Sequence, residues 1–158
     1  RGIVPRNLRS LMGDWVFGCD ICQDVCPVNR KALSAQEPAF APGEYGYTAL
    51  ELIPLLDITE EEFQERFQGS AIRRAKRIGL QRNVCIALGN IGEAIAVPAL
   101  AHALGSGDVV VRCHAAWALG RIRTPEAIEN LNSALVSESD SGALEEIRDA
   151  LVEACGRF

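Results

Sequence analysis

Arg112-Cys113-His114-Ala115-Ala116-Trp117-Ala118-Leu119-Gly120-Arg121-Ile122 decides the fold, because its last four residues repeat Leu88-Gly89-Asn90-Ile91 at an offset of 31. Ala134-Leu135 repeats Ala103-Leu104 at the same offset of 31. An apolar, helix-spaced stretch precedes each Leu-Gly, at 83–88 and 113–119, and a second amphipathic stretch follows each, at 96–104 and 125–135. Two helices per unit and a period near 31 predict stacked helical hairpins. One such hairpin cannot bury its apolar stripe alone, so neighbours complete the core.

A third copy is expected from about Leu144, where Arg148…Ala154-Cys155-Gly156 echoes Arg112…Ala118-Leu119-Gly120 after a small insertion at 139–142. Ala115, Ala116 and Ala118 allow close helix approach, and Gly89 and Gly120 are expected to end helices in the left-handed conformation. This pattern, over 69–158, resembles the HEAT-like repeats, with a unit shorter than the roughly 40–47 residues of long members.

Upstream the character differs. Residues 33–57 carry Pro38, Pro42, Gly43, Gly46 and Pro54, a spacing of breakers that suits a connector with short turns. Thr59 followed by Glu62 reads as a capping box that opens a short helix. The acidic side chains of its first turn favour the positive end of the helix dipole.

Before the connector lies Cys19-Asp20-Ile21-Cys22-Gln23-Asp24-Val25-Cys26-Pro27, spaced C-x2-C-x3-C-P. The ferredoxin run is C-x2-C-x2-C-x3-C-P, and its fourth cysteine binds the other cluster in two-cluster proteins. Val16 stands where a contiguous first cysteine would lie. The spacing therefore assigns Cys19 and Cys22 to one [4Fe–4S] cluster and Cys26 to a second, with the remaining ligands outside this chain. Zinc and unrelated thiols are the alternatives. Structural zinc prefers four Cys or His ligands, and His102 and His114 lie far along the chain. Both histidines are read as surface or interface residues, Trp117 as core, and Cys85, Cys113 and Cys155 as small buried apolar residues. Trp15 and Phe17 either shield a cluster or pack.

Six cysteines so placed fit a reducing cytosol better than a disulfide scaffold. No run of about 18 apolar residues is present, so no membrane partner is expected. The chain opens on Arg1 with no Met before it and is expected to be a fragment. The net charge of −5 conceals a basic run, Arg73, Arg74, Lys76, Arg77 and Arg82, with no acidic residue between 69 and 83. Placed on one helix and its following turn, these five side chains could neutralise phosphates, or form a solvated face paired with the acidic residues of 33–68. No aromatic residue interleaves them, so base stacking is not expected there.

Two blocks together carry a family resemblance. The first is Pro5-Arg6-Asn7-Leu8-Arg9, Met12-Gly13, Phe17-Gly18 through Pro27, and Asn29. The second is Gly69-Ser70-Ala71-Ile72, Arg74-Ala75-Lys76-Arg77, Gly79-Leu80, Arg82-Asn83 and Ala87-Leu88-Gly89-Asn90. The chain resembles the epoxyqueuosine reductase family over most of its length, departing at Val28 where an aromatic Trp is expected. The resemblance implies an iron–sulfur and cobalamin oxidoreductase of the cytoplasm. It would convert epoxyqueuosine to queuosine at the wobble position of the tRNA anticodon, fed by an electron donor protein. Cobalamin and the catalytic acid belong upstream of this chain, so no catalytic residue is carried over.

The expected architecture is all-α. Residues 1–32 would be the C-terminal part of a two-[4Fe–4S] ferredoxin-like domain, 33–68 a connector with a short helix, and 69–158 an α-solenoid of HEAT-like hairpins. The fragment alone is expected to be inactive, and the protein a monomer. The alternative function is a ferredoxin-like electron-transfer protein with a HEAT-type protein-interaction module and no nucleic acid.

Overall fold

The computed structural model describes residues 2–33 and 51–156. Most of the expected connector, 34–50, lies outside the described residues. Two compact units form, one from Arg1–Phe17 with Leu52–Phe158 and the other from Gly18–Glu51. Every regular element among the described residues is helical. None of these helices is long and apolar enough to cross a membrane.

The larger unit begins with helix α1, Arg6–Arg9, and a single helical turn, Ser10–Met12. After the turn Ile53–Leu56 comes a helix, Glu60–Arg66, whose start is the expected capping box. The Thr59 hydroxyl accepts from the Glu62 amide at 3.2 Å, and the Glu62 carboxylate accepts from the Thr59 amide at 2.8 Å. Its apolar side buries Phe63 and Phe67 completely.

Five helices follow: Lys76–Ile91, Val97–Ser106, Val109–Ile122, Pro125–Ser137 and Ser141–Ala154. Numbered in chain order, with Ile21–Asp24 of the smaller unit as α2 and Glu60–Arg66 as α3, they are α4 to α8. Helices α4, α6 and α8 lie side by side as one layer. The turn Ile53–Leu56, α5 and α7 form the second layer, so each long inner helix pairs with the element before it. Helices α4 and α6 are walled in on nearly all sides, which is why their sequences are apolar around most of the circumference. Polar N-caps start the later helices. Asp108 accepts from Val110 N, Thr124 from Ala127 N, and Asp140 from Gly142 N and Ala143 N.

Gly89 and Gly120 do not end helices; both lie within them. The left-handed C-caps are Gly92 at φ 78° and Arg123 at φ 59°, three residues further on. Gly89 and Gly120 serve close packing instead. A β-carbon on Gly89 would fall 2.8 Å from Trp117 Cζ3, and one on Gly120 would fall 2.8 Å from Ala150 Cβ. The third repeat is also corrected. Helices α6 and α8 start 32 residues apart, at Val109 and Ser141, whereas the echo of Arg112 at Arg148 spans 36. The echo is thus about one turn out of register, and no insertion precedes α8.

Candidate cluster loop, its anchor and the basic segment

The three clustered cysteines lie in the smaller unit. Cys19 and Cys22 are exposed, Cys26 is half-buried, and all three are free thiols. Helix α2, Ile21–Asp24, carries Cys22, and the chain turns at once, with Cys26 N bonded to Gln23 O at 3.2 Å. Asn29 closes the loop from the far side. Its amide donates to Gln23 Oε1 at 2.6 Å and to Gln23 O at 3.3 Å. The stretch around Pro27 is thereby tied to the residue between the second and third thiols. Among the described residues no three His, Cys, Asp or Glu side chains gather as a group able to hold one metal ion. The three thiols are therefore close in sequence without converging on one point.

The other cysteines differ in kind. Burial pushes the Cys85 thiol up to about 12 and the Cys113 thiol up to about 11, so neither offers a thiolate near neutral pH. Cys155, expected in the core, is exposed, because no later helix among the described residues covers the end of α8. Trp117 is buried, as its apolar face predicts. Trp15 and Phe17 are both partly open, at 41% and 38% exposure.

The sequence did not disclose the anchor for residues 2–16. This stretch is irregular apart from α1 and one turn, so its backbone needs outside partners. Side chains of the inner helices supply them. Arg82 Nη1 donates to Gly2 O at 2.8 Å, and the Val4 amide donates to His114 Nε2 at 3.1 Å. The Asn90 amide donates to both Arg9 O, at 2.9 Å, and Gly13 O, at 2.7 Å. The Asn83 amide donates to Val16 O at 2.7 Å.

Of the two expectations for His114, surface or interface, the second fits: it is buried where α6 meets residues 2–16. Its Nδ1 lies 2.6 Å from Val110 O, so the proton sits on Nδ1 and the Nε2 lone pair receives Val4. Burial holds this imidazole down to about 4. Arg9, 1% exposed, donates through Nε to Val4 O at 2.9 Å and pairs with the Glu146 carboxylate of α8. Its guanidinium carbon lies 5.7 Å from the centre of the Trp117 ring, a cation–π distance. Burial lowers the Arg9 value and the Glu146 partner opposes that shift. Arg6 bridges Glu146 and Glu153, the latter at 2.9 Å. A polar residue inside an otherwise apolar helix, such as His114 or Asn83, was the available signal.

The basic run is arranged differently from expectation. Arg73 and Arg74 lie on the turn Ala71–Ala75 that precedes α4, Lys76 opens α4, and Arg77 and Arg82 follow within it. Three of the five are engaged internally. Arg73 donates to Gln64 Oε1, Arg77 to Glu60 Oε2 at 3.2 Å and Gln81 Oε1 at 3.0 Å, and Arg82 to Gly2 O and Asn83 Oδ1. The Glu60 carboxyl is held below its ordinary value by its Gln64 hydrogen bond first and by Arg77 after it. Arg74 and Lys76 are exposed, and their side chains make no hydrogen bond or ion pair among the described residues.

Residues 69–155 match the HEAT repeats, and residues 1–29 match the 4Fe-4S double cluster binding domain. An epoxyqueuosine reductase of Bacillus subtilis is 36% identical over 153 residues, 96% of this chain and 39% of its own length. One from Pseudomonas aeruginosa is 42% identical over 122 residues, 77% of this chain and 34% of its own. A crystal structure of epoxyqueuosine reductase with a tRNA-Tyr epoxyqueuosine-modified tRNA stem loop superimposes with a TM-score of 0.87 at 34% identity. It covers 98% of this chain and 41% of that one. The chain spans about a third to two fifths of the length of these relatives. With a cysteine loop that matches the double-cluster domain joined to stacked HEAT hairpins, and with sequence and structural likeness along nearly all its residues, the chain belongs to the epoxyqueuosine reductase family as a partial-length member.

Proposed function

We propose that this chain is part of a cytoplasmic oxidoreductase that converts epoxyqueuosine to queuosine in tRNA. In that reading Cys19 and Cys22 ligate one [4Fe–4S] cluster and Cys26 a second, while the basic segment meets the tRNA backbone near the anticodon. The observation that carries it is the loop of three free thiols, two of them exposed, beside the match to a double-cluster domain. Three thiols fit as a partial ligand set, since two cubane clusters take eight. The domain limits go with this reading: 1–32 for the cluster segment, 33–68 for a connector and 69–158 for the repeats.

The clusters, once bound, would supply electrons one at a time. Removing an epoxide oxygen as water and leaving a double bond takes two electrons and two protons. What this chain's own residues would do is hold thiolates at a fixed place and present phosphate-binding cations. Arg74 and Lys76 are best suited to the second task, because Arg73, Arg77 and Arg82 already have acceptors. Cobalamin does not fit the described residues. Two grooves lined by described residues, of about 440 and 390 Å³, lie near the lower end of the range of roughly 300–1,000 Å³ for drug-sized ligands, and a corrin with its nucleotide tail is larger. His114 is bonded at both ring nitrogens, which leaves it no lone pair for a metal.

The test is iron and acid-labile sulfide in the full-length protein. Cys19→Ala and Cys26→Ala are each expected to lower both, with different residual electron paramagnetic resonance spectra, since each would damage a different cluster. Unchanged iron in both variants overturns the ligand assignment. Intact clusters in a full-length protein that binds no tRNA favour the electron-carrier reading, in which the repeats serve a protein partner.

A further inference from the structure

We infer that Asn83 is a positioning residue for the cluster loop, acting through the backbone of residues 13–16. The inference rests on the iron–sulfur reading above and goes beyond it, since Asn83 would touch neither cluster nor substrate.

Asn83 is the last fixed point before the thiols. Its amide holds Val16 O at 2.7 Å, and Cys19 follows three residues later. Val16 is itself buried at 8% exposure, whereas Trp15, Phe17, Gly18 and Cys19 are all exposed. Between Gly13 and Gly18 the chain has no helix to fix its path, so the carbonyls of Gly13 and Val16 are where the repeats can hold it. Asn90 takes the first and Asn83 the second. The two asparagines lie seven residues apart on α4, two helical turns, and so face the same way.

The Asn83 side chain is in turn aimed by Arg82. Its Oδ1 accepts from Arg82 Nε at 3.0 Å and Nη2 at 2.9 Å, which fixes the amide so that Nδ2 points to Val16. Arg82 spends its remaining nitrogen on Gly2 O. One residue of the basic segment therefore works as a brace within the anchor, leaving the phosphate role to its neighbours. Ligand geometry in metal sites is set as much by the groups that orient the ligands as by the ligands themselves. Cluster potentials respond to solvent exposure and to hydrogen bonds at the sulfurs. Val16 lies three residues before Cys19, so freedom gained at Val16 is passed along the chain to the first ligand.

The experiment compares the full-length wild type with Asn83→Ala, Asn83→Asp and Asn83→Gln. Asn132→Ala is the control, since Asn132 bonds only its own helix at Ile128 O. Iron content, midpoint potentials, resonance spectra and amide hydrogen exchange are measured on the cluster-loaded proteins. Asn83→Asp keeps the size and the acceptor for Arg82 but cannot donate to Val16. Asn83→Ala and Asn83→Asp are expected to retain iron, shift the potential or spectrum of one cluster, and speed exchange in residues 13–17 about tenfold, as one lost hydrogen bond implies. Asn83→Gln restores a donor and is expected to move these readouts back towards wild type, and Asn132→Ala to leave them in place. A change in melting temperature alone, with potential and spectrum unmoved, overturns the positioning role. If Asn83→Ala does not fold, Asn83→Asp and Asn83→Gln decide the same question. A wild type without iron overturns the cluster reading itself and is recognised before any variant is compared.

Discussion

Gly89 on α4 and Ala118 on α6 approach so closely that a β-carbon on the glycine would lie 2.9 Å from the Ala118 Cα. The same arrangement recurs one helix later, between Gly120 and Ala150. Replacing either glycine by alanine gains helix propensity of about 1 kcal/mol and incurs overpacking of about 1–3 kcal/mol. Gly89→Ala and Gly120→Ala are expected to lose stability overall, by roughly 1–2 kcal/mol. Gly105, inside α5, has nothing within 4 Å of its would-be β-carbon, so Gly105→Ala should gain up to about 1 kcal/mol. Urea melts of the three variants check this, and higher stability for Gly89→Ala would refute the close approach.

His114 makes the fold sensitive to mild acid. Its folded value is pushed down to about 4 by burial, from an ordinary 6.5. Between those limits the unfolded chain takes up a proton that the folded chain refuses, so stability is complete above pH 6.5 and falls as the pH drops towards 4. The loss approaches roughly 3 kcal/mol by pH 4, at about 1.4 kcal/mol per unit. Glu138, held down to about 2 chiefly by its hydrogen bond from Arg112, contributes only below its ordinary 4.5, so the window from 6.5 to 4.5 isolates His114. His114→Gln should flatten the pH dependence of urea midpoints in that window. An unchanged slope would show that another group causes it.

The buried Arg9–Glu146 pair should be costly to halve and cheap to replace. Glu146→Ala leaves a cation that is 1% exposed without its carboxylate, an effect expected at about 3–5 kcal/mol. Arg9→Met with Glu146→Leu removes both charges and should recover most of that loss. A double-mutant cycle in urea measures the coupling. Additive single-mutant losses would place the two groups out of contact.

For tRNA, the five basic residues should separate into two classes. Arg74→Gln and Lys76→Gln are expected to weaken binding by the full-length protein and to reduce its salt slope by about 1 each. Arg77→Gln should act on stability instead, through its bonds to Glu60 and Gln81. Binding measured from low to high salt distinguishes them, and equal slopes for all variants would remove this segment from the interface.

The hairpin repeat and the capping box of Thr59 could be read directly, because both depend on residues close in sequence. The spacing of Cys19, Cys22 and Cys26 was equally local. Gly89 misled because glycine suits a helix end and a close crossing alike, and only the partner helix decides between them. The register of α8 misled because a slip of four residues keeps small apolar side chains on the same face. The anchor was hidden for a related reason. Arg9, Asn83, His114 and Glu146 lie on four separate stretches, and their polarity gains meaning only when the inner layer is assembled.

The ion pairs between the start of the chain and α8 join residues 140 and 147 apart. A ribosome adding about 5–20 residues per second needs roughly seven to thirty seconds to cover that interval. For most of it Cys19, Cys22 and Cys26 are already made, while Glu146 and Glu153 do not yet exist. The loop that would receive iron is synthesised early, and the surface that steadies its approach is finished last. The tethers from α4 and α6 are in place before α8 emerges, so clusters acquired in that interval would be assembled while Arg6 and Arg9 still lack their carboxylate partners.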